Sequence, residues 1–212
     1  MYTREELNRI LLDHKLWLNN EGGQRANLKE ADLQGAELVG ANLQGAILSL
    51  ANLRRADLRG AYLRGSDLRW VDFRMANLHG AILHGADLYE ADLRKANLQE
   101  ADLRRANLER ADLQDAYLQK ADLRWANLQR ANLVKADLLG ANLKGADLDF
   151  SCLPLWCGSK NMKVDRKLYL QLLAHLCAVD VFDEECNSHQ EASLELAKQS
   201  HVAKYMLESE DK

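Results

Sequence analysis

Cysteine and histidine side chains, which can bind metals or act as nucleophile and base, are concentrated near the C-terminus. Structural zinc sites place such ligands at short, recurring spacings, and the intervals in this cluster match none of them. We therefore predict no metal site and interpret the thiols as small buried side chains. A measured zinc stoichiometry near one per chain would contradict this interpretation. The cluster consists of Cys157, His175, Cys177, Cys186, His189 and His201.

His79 and His84 are the other candidates for chemistry, because they occupy outward positions of neighbouring repeats. A catalytic base needs a nucleophile or a substrate proton within hydrogen-bond reach, and the repeat pattern places no cysteine or serine beside them. The chain also lacks a nucleophile elbow, a phosphate-binding glycine loop and a helical His-Glu-x-x-His motif. The sequence predicts surface histidines, no cofactor and no enzymatic activity.

A five-residue repeat, Ala-(Asp/Asn)-Leu-x-x, positions His79 and His84 and runs from Ala26 to Leu155 without an insertion or deletion. Leucine fills 25 of the 26 central positions, with Phe73 as the exception, and alanine fills 23 of the first positions. A period of five spreads the leucines around every side of a helix, at about 100° per residue. On a continuous strand it sends alternate leucines to opposite faces. The chain must therefore turn once in every pentad.

The two remaining features of the pentad fit such a turn. Asp or Asn occupies the second position at 20 of 26 sites, where a short polar side chain can bond nearby backbone groups. Glycine recurs at the fifth position, as at Gly40, Gly60 and Gly80, and suits turns that require positive φ. We expect the alanines and leucines to face inward as the core of a coil.

This pattern resembles the pentapeptide repeat family, and the resemblance covers residues 26–155. The resemblance implies a mainly β solenoid, a right-handed quadrilateral β-helix in which four pentads make one coil. It implies about six and a half coils and, at roughly 4.8 Å between stacked strands, a rod about 31 Å long.

Solenoid ends need covers, and we divide the chain into an N-terminal capping helix (1–25), the repeat (26–155) and a C-terminal helical cap (156–212). Thr3 and Glu6 have capping-box spacing and begin a helix over residues 3–19, which Gly22 and Gly23 are expected to stop. Trp17 is expected to cover the first coil. At the other end, we expect a helix over 165–179 and a second from Ser188 to about Leu207.

Composition restricts the possible partners and compartment. The net charge is -4, with 28 basic and 32 acidic residues, so the total favours neither a strongly basic nucleic-acid binder nor an acidic tail. The N-terminal residues lack a secretory signal pattern, no window approaches the roughly 18 apolar residues of a membrane span, and the cysteines are confined to the last third. We expect a cytoplasmic protein.

With four pentads in a coil, residues 20 apart align, and the outward residues can be assigned to four faces. One face, centred on Leu43 and its equivalents, has net charge +3 and is a candidate binding face. A second, apolar stripe lies on the adjoining face. Exposed aromatics beside arginines are typical of binding surfaces, although a stabilising ladder between coils is an alternative. The basic face has Arg64, Arg104, Arg105, Arg124, Lys144, Tyr62, Ile82 and Trp125, and the apolar stripe has Ile47, Leu50, Trp70 and Tyr89.

The leading interpretation is a rigid, non-enzymatic scaffold for an unidentified protein partner. The family resemblance implies an alternative, because some members protect DNA gyrase, a type II topoisomerase, by imitating duplex DNA. A 31 Å mimic would need on the order of 18 negative charges, whereas the repeat has 17 basic and 18 acidic groups. Weak nucleic-acid binding through the basic face is a further alternative.

Overall fold

The computed structural model describes residues 2–148 and residue 151. Within this part of the chain, one α-helix, α1 (Arg4–Leu18), precedes the repeat. No helix in it is long and apolar enough to cross a membrane. The expected helices over 165–179 and 188–207, and the cysteine and histidine cluster, lie outside the described residues.

The repeat folds into a β-solenoid with four pentads in each coil. The second residue of each pentad forms a parallel bridge with the residue 20 positions later, from Asn27 with Ile47 to Asn127 with Asp147. Each strand segment consists of a single bridge residue, and no strand in the described repeat is longer than one residue. We number the coils from 1 (26–45) to 6 (126–145) and name the four faces by their central residues in coil 1: Leu28, Leu33, Leu38 and Leu43. The predicted coil of 20 residues is confirmed.

Backbone hydrogen bonds account for both the stacking and the turns. In a typical pentad, the Leu83 amide donates to the Asp102 carbonyl of the next coil at 2.8 Å. The Ala86 amide donates back to the Leu83 carbonyl at 3.0 Å and closes the turn. The same bonds recur in successive pentads, so the rod is a regular scaffold.

The core consists of the first and third residues of the pentads, as predicted, except that Ala36 and Ala41 of coil 1 are only half-buried. The central leucines are at most 2% exposed, and Phe73 is fully buried in the same position. Burying a leucine contributes about 1.5–3 kcal/mol before chain entropy is subtracted. Where Ser66 replaces alanine, its Oγ donates to the Leu63 carbonyl at 2.7 Å, which satisfies the buried hydroxyl.

The fifth residue of every pentad has a positive φ from residue 30 to residue 145. The turn spans the four residues Leu-x-x-Ala, and the amide of its alanine donates to the carbonyl of its leucine. This hydrogen bond, with a positive φ at the third residue of the turn, is the geometry of a type II turn. Glycine provides it at nine of these positions, as predicted, but the other fifteen carry larger residues such as Trp70 and Trp125. For those residues this conformation costs on the order of 1–2 kcal/mol, so the stacked coils impose the turn even without glycine.

The second-position Asp and Asn side chains bond the backbone, as expected. Asp102 Oδ1 accepts from the Arg104 amide at 3.2 Å, and equivalent bonds recur along the rod. Asparagines also join successive coils, since Asn127 Nδ2 donates to Asn107 Oδ1 at 3.1 Å. The Asp and Asn side chains therefore stabilise both the turn within a pentad and the stacking of successive coils.

Helix α1 begins as predicted, with a reciprocal capping box between Thr3 and Glu6. Its expected stop at Gly22 and Gly23 is wrong, because the helix ends at Leu18. Asn20, at φ 59°, takes the left-handed position, and the Asn20 and Glu21 amides donate to the carbonyls of Trp17 and Leu16. Asparagine tolerates this conformation and forms a Schellman end.

Gly23 is required for the close approach of the linker to α1 rather than for ending the helix. A Cβ atom at this position would collide with the Asp13 carbonyl, so only glycine permits the chain to pass this close to α1. The linker over residues 19–25 then leads directly into coil 1.

Candidate binding surfaces

Paired charges dominate the C-terminal half of the Leu43 face. Arg104 lies 2.6 Å from Asp102 in its own pentad and 3.8 Å from Asp122 in the next coil. Arg124 repeats the arrangement with Asp122 at 2.6 Å. Each guanidinium donates through both Nε and Nη2, which is the strong two-point geometry. Arg104 and Arg124 are therefore each held by the carboxylates beside them.

These pairs favour the ionised form of the carboxylates. The side-chain hydrogen bond from Arg104 lowers the pKa of Asp102 against the opposing effect of burial. The predicted basic face consequently separates into two parts. Arg64, Arg105 and Lys144 have no carboxylate within 4.0 Å among residues 2–148 and 151, and they alone carry uncompensated charge on this face.

Tyr62 and Ile82 form the apolar part of the Leu43 face. The two residues form a parallel β-bridge that joins coil 2 to coil 3, and Tyr62 is 48% exposed. Arg64 follows Tyr62 in the same pentad. Trp125 does not join this group, because it lies in coil 5, where its indole covers Gly145 and remains 65% exposed. The structure thus brings together only part of the predicted set, Tyr62, Ile82 and Arg64.

Glycines mark the corners of this same face. Eight of the nine glycines at fifth positions lie on the two corners that border the Leu43 face, and only Gly35 lies elsewhere. Positive φ does not explain this choice, because larger residues adopt φ of 53–62° at equivalent corners. Around Tyr62 and Ile82, the corners carry Gly60, Gly65, Gly80 and Gly85, with open space where a Cβ would stand. A flat partner could approach this face closely.

The apolar stripe is organised around Trp70 and Tyr89. Their rings meet edge to face at 5.9 Å and 86°. Leu50, in the same column as Trp70, is 48% exposed, and Ile47 is half-buried on the same coil. These four residues occupy coils 2 to 4, on the face predicted for them.

Three charged residues that the sequence analysis did not select connect this stripe. Glu90 accepts from Trp70 Nε1 at 3.0 Å and from Arg110 Nη1 at 3.0 Å. Arg110 also donates to the Tyr89 hydroxyl at 3.0 Å, and Arg69 covers the Trp70 ring at 5.4 Å. Hydrogen bonds from Arg110, Tyr89 and Trp70 lower the pKa of Glu90. Glu90 and Arg110 follow Trp70 at intervals of 20 residues, which is the signal that would have found them.

No metal site forms in the described part of the chain. It contains no group of three or more histidine, cysteine, aspartate or glutamate residues that could hold an ion. His79 Nδ1 donates to the Gln99 carbonyl at 3.0 Å, so its ring joins adjacent coils.

Comparison with known proteins places this geometry in context. The family model for pentapeptide repeats matches residues 24–49, 51–89, 86–124 and 121–154 in eight copies. A search of curated proteins finds no match.

Several solved structures are also similar. HetL, a pentapeptide repeat protein involved in heterocyst differentiation regulation from the cyanobacterium Nostoc, shares 33% identity over 65% of this chain and 73% of its own, with a TM-score of 0.37. A pentapeptide repeat protein from the Arabidopsis thaliana thylakoid lumen shares 29% over 66% and 73%, with a TM-score of 0.33. QnrB1, a plasmid-mediated fluoroquinolone resistance protein, shares 19% over 71% and 84%, with a TM-score of 0.37.

Proposed function

Because the chain belongs to the pentapeptide repeat family, we propose that it is a non-enzymatic, rigid scaffold that binds a protein partner in the cytoplasm. The observation that carries this proposal is the exposed Tyr62, bridged to Ile82 and followed by Arg64 on a face with glycine corners. Tyrosine and arginine are the residue types that most often dominate binding energy at protein interfaces.

Rigidity supports the same proposal. The bridges and turn bonds hold this face in one conformation before a partner arrives. Binding to an ordered surface loses less conformational entropy than binding to a mobile one. A partner that presents a flat apolar surface with a carboxylate opposite Arg64 would match the face in shape and charge.

The test compares two tyrosines that occupy the same position of the pentad. Tyr62 is 48% exposed on the Leu43 face, and Tyr117 is 49% exposed on the Leu38 face. Affinity purification from native lysate with quantitative mass spectrometry should recover a partner on the wild type and on Tyr117→Ser. That partner should be lost on Tyr62→Ser and on Arg64→Glu.

Circular dichroism of all variants checks that the solenoid remains folded. If Tyr62→Ser and Tyr117→Ser retain the same partners, this face is not the binding surface. If the partner is lost only on Trp70→Ser, the apolar stripe is the interface instead.

Topoisomerase protection by DNA mimicry is the second candidate. The charges favour it less, because arginines such as Arg74 and Arg104 neutralise the aspartates beside them, at 2.5 and 2.6 Å. A supercoiling assay with DNA gyrase and a quinolone distinguishes the two functions. Rescue of gyrase at near-stoichiometric protein would establish mimicry, and no rescue together with a recovered partner would support the scaffold.

Nucleic-acid binding is the third candidate. Pairing of Arg104 and Arg124 leaves Arg64, Arg105 and Lys144 as dispersed cations, which give few phosphate contacts. A band shift at low salt that disappears with Arg105→Glu would favour this alternative over a protein partner.

A further inference from the structure

His14 is the fully buried contact between α1 and the first coil. Its Nδ1 accepts a hydrogen bond from the Ala26 amide at 3.1 Å. In later pentads, the equivalent amide donates to a carbonyl of the preceding turn, as Ala31 does to Leu28 at 3.1 Å. Coil 1 has no preceding turn, so the His14 ring replaces that missing carbonyl.

This contact requires a neutral imidazole. Nδ1 must present a lone pair to the Ala26 amide, so the proton of the neutral ring is on Nε2. A protonated ring would direct an N–H group against the Ala26 N–H. The buried Nε2 has no acceptor in good hydrogen-bond geometry, although the Gln44 carbonyl is close enough to act on the ring. A charged ring would lose far more hydration than a neutral one.

The surroundings of His14 also oppose its protonation. On α1 the ring stacks on Trp17, with centroids 5.4 Å apart. From the linker, the positive charge of Arg25 acts on it, and Arg25 Nε donates to the Gly45 carbonyl. Coil 1 contributes the uncharged Ala26 amide and the Gln44 carbonyl. Burial and Arg25 lower the pKa of His14, although the Gln44 carbonyl opposes them.

The N-terminal half of α1 makes few buried contacts with coil 1. A cleft of about 340 Å³ lies between its N-terminal half and residues 32–37 of coil 1. Across this cleft, Arg4 and Glu37 are 3.5 Å apart, but their side chains are 83% and 75% exposed. Exposed pairs of this kind contribute little, and in this half only Leu7 is buried.

We propose that His14 is a pH-sensitive latch, whose protonation in mildly acidic solution releases α1 from coil 1. Release withdraws α1 from the open edge of the first coil, where Leu33 lines the cleft beside Leu7 and is only 2% exposed. The amides of Asp32, Glu37 and Asn42, residues that are exposed even with α1 docked, have no hydrogen-bond partner among the described residues at this edge. Exposed strand edges pair readily with other chains. The latch thus couples pH to the exposure of this edge.

The direction of the effect follows from linkage. If His14 is harder to protonate when α1 is docked, it stabilises the docked state fully above the ordinary pKa of about 6.5. This contribution to the free energy of docking is lost as the pH falls below that value. For a single proton, the population with α1 released rises by at most about tenfold at one pH unit below 6.5. The stacked coils, held by backbone bonds, should not follow this change.

Hydrogen exchange of the full chain, followed by mass spectrometry at pH 7.5 and 5.5, tests the latch. After correction for intrinsic rates, residues 4–18 should exchange up to about tenfold faster at the lower pH, while residues 66–125 keep their protection. His14→Gln should remove this pH dependence, since glutamine can accept the Ala26 bond without titrating. The control His79→Gln should retain it.

Equal corrected exchange of residues 4–18 at both pH values in the wild type would overturn the proposal, as would the same pH response in His14→Gln. An NMR titration of the His14 ring in the wild type gives an answer even if His14→Gln fails to dock α1. A measured pKa at or above 6.5 would contradict the latch, and a lower one would support it.

Discussion

Arg104 binds Asp102, two residues earlier in its own pentad, through Nε at 2.8 Å and Nη2 at 2.6 Å. The same spacing pairs Arg59 with Asp57, Arg69 with Asp67, and Arg74 with Asp72. An arginine at the fourth position is therefore partly neutralised whenever aspartate is at the second. The fourth-position Arg64 escapes this pairing because Tyr62 occupies the second position.

Arg104→Gln should alter stability only slightly. The pair is on the surface, and pairs of this kind contribute about 0–1 kcal/mol to the free energy of unfolding. Urea denaturation at low salt should show a difference within about 1 kcal/mol, and the difference should shrink at 1 M NaCl because salt screens exposed charges. A loss of several kcal/mol would mean that these pairs are a principal source of rod stability.

The sequence predicted the rod well for a definite physical reason. A period of five combined with inward alanine and leucine leaves few ways to bury every apolar side chain, and bridges such as Tyr62 with Ile82 confirm the coil of 20 residues. Column arithmetic therefore placed the residues on the correct faces. The period alone does not show which charges pair, however, and Arg104 and Arg124, which it predicts as binding residues, are each bound to their own aspartate.

The contacts that the sequence could not provide depend on side-chain direction. Trp70 and Glu90 share a column, but only the rotamers show that the indole Nε1 bonds the carboxylate. Similarly, the helical pattern of α1 gave His14 an inward position without indicating that its Nδ1 accepts the Ala26 amide.

Leu93→Ala should be strongly destabilising. Leu93 is fully buried in coil 4, and large-to-small substitutions in tightly packed cores cost about 2–5 kcal/mol. Phe73→Leu should cost less, because leucine is the residue that the other described coils accommodate at this position. Guanidinium denaturation followed by circular dichroism measures both. Equal losses for the two variants would mean that coil 3 has adapted specifically to the phenylalanine ring.

Gly65→Ala and Gly145→Ala separate backbone strain from steric contact. Both glycines have positive φ, of 61° and 72°, so each substitution should cost about 1–2 kcal/mol in strain. Gly145→Ala should cost more, because the Trp125 indole occupies the position of the new Cβ. Thermal unfolding should show this excess, and Trp125→Ala should remove it. If the excess persists without the indole, the Trp125 contact does not cause it.

Glu90→Gln should reveal a pH-dependent contribution from the apolar stripe. Bonds from Arg110, Tyr89 and Trp70 lower the pKa of Glu90 below its ordinary value of 4.5. A carboxylate of this kind stabilises the folded state fully above 4.5, and its contribution is lost as the pH falls through the lowered value. The wild type should therefore be more stable than Glu90→Gln at pH 7, and the difference should decrease below pH 4.5. Trp70→Phe lacks the Nε1 donor, so in that background the stability difference between the proteins with and without Glu90→Gln should depend more weakly on pH. An unchanged pH dependence would show that the indole bond does not stabilise the Glu90 carboxylate.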